Sequence, residues 1–281
     1  MSTAVTDNEI DRYVLFGHPV AHSKSPFIHG LFAQHLGQQL SYRLVDVSPA
    51  DFMDAARTFF ATGGAGANVT VPHKQAAVDL VDVLTPQAAR AAAVNTLLLD
   101  STGQLVGANT DGAGLLQDLE GNLGLSLAGQ RVLVLGAGGA TRGILEPLLQ
   151  AQPALVLVAN RTPSRAIELA AAFQDLGTIS GGGYGDLGDL PPFDLILNAT
   201  SASLAGEVPP VPVRAFTGDS VAYDLAYARG GTPFTQWARS RGLQQVHKGY
   251  GMLVEQAAVS FALWRGVRPD TAPVLAALRA L

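Results

Sequence analysis

Short apolar runs alternate along the chain with segments of helical spacing. Residues 13–16 (Tyr-Val-Leu-Phe) read as a strand. The segment 26–36 then places Phe27, Leu31 and Phe32 on one helical face. Residues 42–47 predict a second strand, 51–60 a second helix, and 67–71 a third strand stopped by Pro72. Residues 96–99 and 104–106 flank Ser101-Thr102-Gly103 and predict a hairpin. A cleaner block begins near Arg131. Residues 132–135 form a buried strand, and Gly136-Ala137-Gly138-Gly139 leads into a helix that runs through Leu149. Residues 155–159 are the next strand, 165–173 the next helix, and 195–197 and 221–223 later strands. The stretches 181–192 and 206–212 read as loops by composition. Helices over 251–264 and 271–278 close the chain, after Lys248-Gly249-Tyr250-Gly251, which reads as a flexible hinge.

This alternation predicts an α/β protein of two parts. An N-terminal α/β substrate domain, residues 1–108, is completed by the C-terminal helices in 248–281. A central Rossmann-like nucleotide-binding domain covers 109–247. Composition agrees with a packed interior: of 281 residues, 48% are hydrophobic and 15% charged. The net charge of −5 offers no general attraction to nucleic acid or anionic membranes. The chain has no cysteine, which removes disulfides, thiolate metal sites and thiol nucleophiles. The first 11 residues lack the pattern of a signal peptide, and no apolar run reaches the length of a membrane span. A soluble cytoplasmic protein is the expectation, as a monomer or a homodimer.

Gly136-Ala137-Gly138-Gly139-Ala140-Thr141 follows a strand and opens a helix. The first glycine allows the tight turn and the second lets backbone approach a pyrophosphate, which the helix N-terminus attracts. The third fingerprint position is Thr141 rather than Gly or Ala. At the end of the next strand stand Asn160-Arg161-Thr162, with Arg165 after them and no carboxylate. Selection of NAD usually places Asp or Glu there, on the ribose 2′-hydroxyl. Two guanidiniums instead suit a 2′-phosphate, so NADP is the expected cofactor. The plainer alternative is a pair of solvated helix-end charges.

The polar residues of the N-terminal half cluster after strand ends. Ser23 and Ser25 precede the helix at Pro26, and on their own they read more readily as helix caps. Asn68 and Thr70 share a strand face, and Lys74 follows. Asn95 precedes the hairpin. Asp111 stands where the chain leaves the first domain. The six histidines show no metal-ligand spacing, so no metal is expected. Hydride exchange between a secondary alcohol and a nicotinamide needs a group to take up or return the hydroxyl proton. Lys74 and Asp111 are the charged pair that falls in suitable loops.

The blocks YVLFGHPVAHSKSP (13–26), NVTVPHK (68–74), AVNTL (93–97), NTDGAG (109–114), GAGGATR (136–142), NRT (160–162), NATS (198–201) and GMLVEQAA (251–258) together resemble the shikimate dehydrogenase family, in its order and over nearly the whole chain. The resemblance implies NADP-dependent interconversion of 3-dehydroshikimate and shikimate. Lys74 and Asp111 are then the catalytic pair. Ser23, Ser25, Asn68, Thr70, Asn95, Asp111, Tyr223 and Gln256 become substrate contacts. Gly136, Ala137, Gly138, Gly139, Ala140, Asn160, Arg161, Thr162, Arg165, Thr200, Leu225, Gly249 and Met252 become cofactor contacts. This chain departs from the family pattern at Thr141, at Ala202-Ser203 and at Lys248. A quinate/shikimate dehydrogenase using NAD or both cofactors is the near alternative. A non-catalytic NADP-sensing regulator is the alternative of another kind.

Overall fold

The computed structural model describes residues 10–281. In chain order it contains β1 (Asp11–Gly17), α1 (Ser25–His35), β2 (Leu40–Asp46), α2 (Phe52–Ala61), β3 (Gly64–Val69), β4 (Val83–Leu84), α3 (Pro86–Ala91), β5 (Thr96–Leu99) and β6 (Leu105–Ala108). Next come α4 (Asp111–Leu116), β7 (Arg131–Leu135), α5 (Gly139–Gln150), β8 (Leu155–Ala159), α6 (Pro163–Ala171), β9 (Ile179–Gly182), β10 (Leu195–Asn198) and β11 (Val221–Asp224). The chain ends with α7 (Pro233–Ser240), β12 (Gln245–Lys248), α8 (Tyr250–Arg265) and α9 (Ala272–Arg279).

Two six-stranded sheets result. The first has the order β2-β1-β3-β5-β6-β4, and β5 runs antiparallel to both its neighbours. The second has the order β12-β11-β10-β7-β8-β9 and is parallel throughout. That is the doubly wound Rossmann order, with its reversal between β7 and β10. Alternate residues of β7 serve opposite faces of this sheet. Val132 and Val134 join Ile144, Leu148 and Val158 on one side, and Leu133 and Leu135 join Ile196, Phe234 and Ala238 on the other. Both faces are buried, which explains the unbroken apolar runs of these strands.

The last two helices return to the first sheet. Val254, Ala257 and Phe261 of α8, with Val274 and Leu278 of α9, pack on Ile28 and Phe32 of α1. Trp264 donates its indole N–H to the Leu97 carbonyl at 3.0 Å, against a Gly66 that leaves no room for a Cβ. The α/β architecture thus has the two parts expected.

Three segments depart from the sequence expectation. Residues 179–182 form β9 at a sheet edge, although 181–192 read as loop. Gly181 is there because an added Cβ would lie 2.1 Å from the Ala166 carbonyl of α6. The segment 83–91 supplies β4 and α3, started by Thr85, whose side chain accepts from Ala88 N. The segment 117–122 continues α4 as a π-helix. The glycines 249 and 251 also serve close packing: a Cβ at Gly249 would lie 2.2 Å from the Leu225 carbonyl, and one at Gly251 would lie 1.7 Å from Asp118. The segment read as a flexible hinge is thus closely packed in this structure.

His29 sits in the middle of the α1–α8 layer, fully buried, stacked on Tyr42 at 4.5 Å and near Phe261 and Trp264. Neither ring nitrogen has a partner. Burial pulls its pKa from 6.5 down to about 3. The folded chain therefore refuses a proton that the unfolded chain accepts below pH 6.5. Stability is expected to fall as pH drops from 6.5 toward 3, with His29 contributing up to about 1.4 kcal/mol per pH unit. Urea unfolding of the His29→Leu variant across that range should show a shallower pH slope than the wild type.

Candidate active site

The two sheets meet with the carboxyl ends of their strands facing one cavity of about 210 Å³. One wall carries Ser23, Ser25, Asn68, Thr70, Lys74, Asn95 and Asp111. The facing wall carries Ala140, Thr200 and Leu225, and the start of α8 adds Gly249, Met252 and Gln256.

Lys74 and Asp111 form an ion pair in the cleft. Lys74 Nζ donates to Asp111 Oδ2 at 2.5 Å, and the side chains are 12% and 5% exposed. A pair so buried survives only if its remaining polar atoms are held. Asn95 Nδ2 donates to Asp111 Oδ1 at 2.8 Å, and Asp111 opens α4, where the helix dipole favours a carboxylate. Asn95 is fixed in turn, because its Oδ1 accepts from Thr110 N at 2.9 Å. Asn68 is fixed by Tyr42, whose hydroxyl donates to Asn68 Oδ1 at 2.7 Å. The Asn68 amide donates to Ser260 Oγ at 3.1 Å, and Ser260 is itself within 3.2 Å of Thr110 Oγ1.

Neither Ser23 nor Ser25 is the N-cap of α1, a position that Lys24 holds without a side-chain cap bond. Ser23 Oγ accepts from Ser25 N at 3.2 Å and donates to Ser25 Oγ at 3.1 Å, and both side chains lie on the cavity wall. Tyr223 corrects the expectation in the other direction. It lies on β11 with no exposure and outside the cavity, and its hydroxyl donates to Asp118 Oδ2 at 2.6 Å. Its hydroxyl is thus taken up by Asp118, away from the cavity. The tyrosine that lines the cavity is Tyr227, three residues beyond the strand end, beside Ser23 and the Lys24 backbone. Burial raises its phenol pKa, so it stays a hydrogen-bond donor. The signal available in sequence was its place in the loop after β11.

The glycine loop has the shape that a dinucleotide needs. Gly136 takes φ +102°, and a Cβ there would press on Thr200 and the Ala199 carbonyl. Beside Gly138, the N-cap of α5, an added Cβ would meet nothing within 4 Å. This leaves open space before the unpaired N–H groups of the first helical turn. Thr141, the departure from the fingerprint, is buried and donates its hydroxyl to the Gly136 carbonyl at 2.8 Å. It pins the turn that a smaller residue would leave to backbone alone. Gly139 faces the Lys74 side chain, where a Cβ would come within 3.3 Å of Lys74 Cβ. Asn160, Arg161, Thr162 and Arg165 lie apart from the cavity, at the end of β8 and the start of α6, with both guanidiniums exposed. An extended ligand lying from the glycine loop to β8 would reach them.

The other departures have local roles. Ser203 Oγ donates to the buried Asp224 carboxylate at 2.8 Å and accepts from Asn198 Nδ2 at 3.2 Å. Lys248 Nζ reaches the Ala228 carbonyl at 3.4 Å and stands 5.0 Å over the Tyr250 ring. Among the described residues, no three His, Asp or Glu side chains converge as metal ligands would, and no helix is long and apolar enough to cross a membrane.

Family models agree with this geometry. A shikimate dehydrogenase substrate-binding domain matches residues 15–97, a shikimate/quinate 5-dehydrogenase model matches 118–205, and a shikimate 5′-dehydrogenase C-terminal domain matches 249–279. The shikimate dehydrogenase (NADP(+)) of Aeromonas hydrophila is 53% identical over 96% of this chain and 98% of its own. The chain belongs to the shikimate dehydrogenase family. A shikimate 5-dehydrogenase from Thermus thermophilus, solved with NADP(H) and shikimate, superposes with a TM-score of 0.83 at 36% identity, covering 97% of this chain and 100% of that one. A 5-ketofructose reductase from Gluconobacter has the same fold at 31% identity and a TM-score of 0.82, over 97% of this chain and 99% of its own. The same architecture thus occurs in proteins named for different carbonyl substrates.

Replacing Thr141 by Val removes one buried hydrogen bond and leaves the Gly136 carbonyl unpaired. The expected loss of stability is about 1–2 kcal/mol, read by urea unfolding.

Proposed function

We propose that this protein is an NADP-dependent shikimate dehydrogenase, reducing 3-dehydroshikimate to shikimate reversibly. The observation that carries this reading is the Lys74–Asp111 pair, which lies on the wall facing the glycine loop of a dinucleotide fold. Residues 1–108 with 248–281, of which 1–9 lie outside the described residues, make the substrate half, and 109–247 the cofactor half. NADPH, when bound, supplies the hydride.

The residues of the chain do the rest. Ser23, Ser25 and Tyr227 offer three hydroxyls at one end of the cavity for a carboxylate. Asn68, Thr70, Asn95 and Gln256 supply amide and hydroxyl partners for the ring hydroxyls. They turn the reacting carbon toward Ala140, Thr200, Leu225, Gly249 and Met252. Lys74 gives the proton from Nζ to the carbonyl oxygen as reduction proceeds, and takes it back in oxidation. Asp111 holds the ammonium in place and steadies its charge. Gly136, Ala137, Gly138, Gly139 and Ala140 cradle the pyrophosphate. Asn160, Arg161, Thr162 and Arg165 hold the 2′-phosphate. The absence of thiols suits a reducing cytoplasm, and the chain works as a monomer or homodimer.

Replacing Lys74 by Ala is expected to cut turnover by about 10²–10⁴-fold, with shikimate affinity changed far less. Equal turnover in the variant would remove Lys74 from its role. Joint replacement of Arg161 and Arg165 by Ala should raise KM for NADP and leave any NAD-dependent rate unchanged. Initial rates with shikimate and quinate, each with NADP and NAD, test the whole reading. A clear preference for NAD or for quinate would overturn it, and cofactor binding without turnover would favour a sensor.

A further inference from the structure

Helix α8 starts without a cap of its own. Its N-cap is Gly249, which has no side chain to bond the free N–H groups of the first turn. One of these, Met252 N, donates to the Tyr223 hydroxyl at 3.3 Å. That hydroxyl donates in turn to Asp118 Oδ2 at 2.6 Å, and Asp118 Oδ1 accepts from Asn122 Nδ2 at 3.0 Å. Tyr223 and Asp118 are 0% and 2% exposed. Burial and the Asp118 charge both keep the phenol protonated, so it remains the donor in this bond.

The cap joins three separate parts of the chain. Tyr223 comes from β11 of the parallel sheet. Asp118 comes from the π-helical end of the run that Asp111 opens. Met252 belongs to the helix that carries Gln256 one turn further on. The contact is close enough that Gly251 has no space for a Cβ beside Asp118, nor Gly249 beside the Leu225 carbonyl. Leu225, Gly249, Met252 and Gln256 all line the cavity immediately beyond this joint.

We propose that Tyr223 and Asp118 are positioning residues for the reaction: they cap α8 from across the domain boundary, and so fix the cofactor-side wall of the cavity against Asp111 and the substrate. They touch neither ligand. This inference rests on the dehydrogenase reading above and assigns Tyr223 a role other than substrate binding. Hydride transfer is steep in the separation of donor and acceptor, so loosening this joint acts on cofactor placement and turnover.

The test is Tyr223→Phe in the full chain, which keeps the buried ring and removes only the hydroxyl. The expected result is a fall in kcat on the order of tenfold and a severalfold rise in KM for NADP, the scale of a small misplacement. The Kd of shikimate for the cofactor-free enzyme, from calorimetry, should stay within about twofold. The affinity for NADPH, read from its fluorescence on binding, should fall in parallel. Asp118→Asn retains an acceptor oxygen for Tyr223 and should show the same pattern more weakly. It gives the same readouts if Tyr223→Phe does not fold. Loss of shikimate affinity with NADP kinetics unchanged would make Tyr223 a substrate ligand and overturn the proposal. A lowered melting temperature with unaltered kinetics would reduce the joint to packing and overturn it too. A wild type that does not turn over shikimate would sink the functional reading alone, and the NADPH affinities would still decide the role of Tyr223.

Discussion

A lysine and an aspartate in contact inside a cleft are expensive to keep there. Each would be better solvated in water, and their attraction alone does not offset the loss. The polar architecture around Lys74 and Asp111 follows from this constraint. Asn95 holds the second carboxylate oxygen, and Thr110 holds Asn95. Ser260 ties Thr110 to Asn68, and Tyr42 fixes the far side of Asn68. Residues that a ligand would meet are thus already set in orientation by bonds to groups behind them. The cavity can bind a hydroxylated acid without first ordering its own side chains.

The same pair also lies where helices α4, α5 and α8 crowd together. Glycines provide the clearance. Gly112 lies against the Gly143 backbone of α5, and Gly114 lies against Gln256 of α8, where a Cβ on either would clash. Helix α4 is therefore wedged between the nucleotide helix and the returning C-terminal helix, with Asp111 at its tip. Gly139 lets the dinucleotide loop rest on the Lys74 stem. The glycine loop, the Lys74–Asp111 pair and helix α8 form one packed unit, in which displacement of any member shifts the others.

Much of this was legible from residue order. The unbroken apolar runs of β7 and β8 come from strands covered on both faces, and the glycine turn between β7 and α5 follows from their spacing. The alternation of strand and helix patterns gave two α/β parts. Where it failed, local signals were overruled by packing. The stretch 181–192 reads as loop, yet residues 179–182 pair with β8 as an edge strand, with Gly181 giving clearance to α6. The segment from Lys248 to Gly251 reads as a hinge from its glycines, and the structure adds that both glycines are closely packed. Ser23 and Ser25 match a helix cap by composition, and only the start of α1 at Ser25 frees them to line the cleft.

The sequence by itself determined the class of chemistry: a dinucleotide turn, a strand end with arginines in place of a carboxylate, and a lysine and an aspartate in facing loops. These are local properties of residue type and spacing, so they can be read without coordinates. Tertiary structure decided which tyrosine lines the cavity and which one bonds the start of α8. Tyr223 and Tyr227 are four residues apart and chemically identical. Their roles differ because β11 is buried on both faces up to its last residue, and the loop beyond it opens into the cleft.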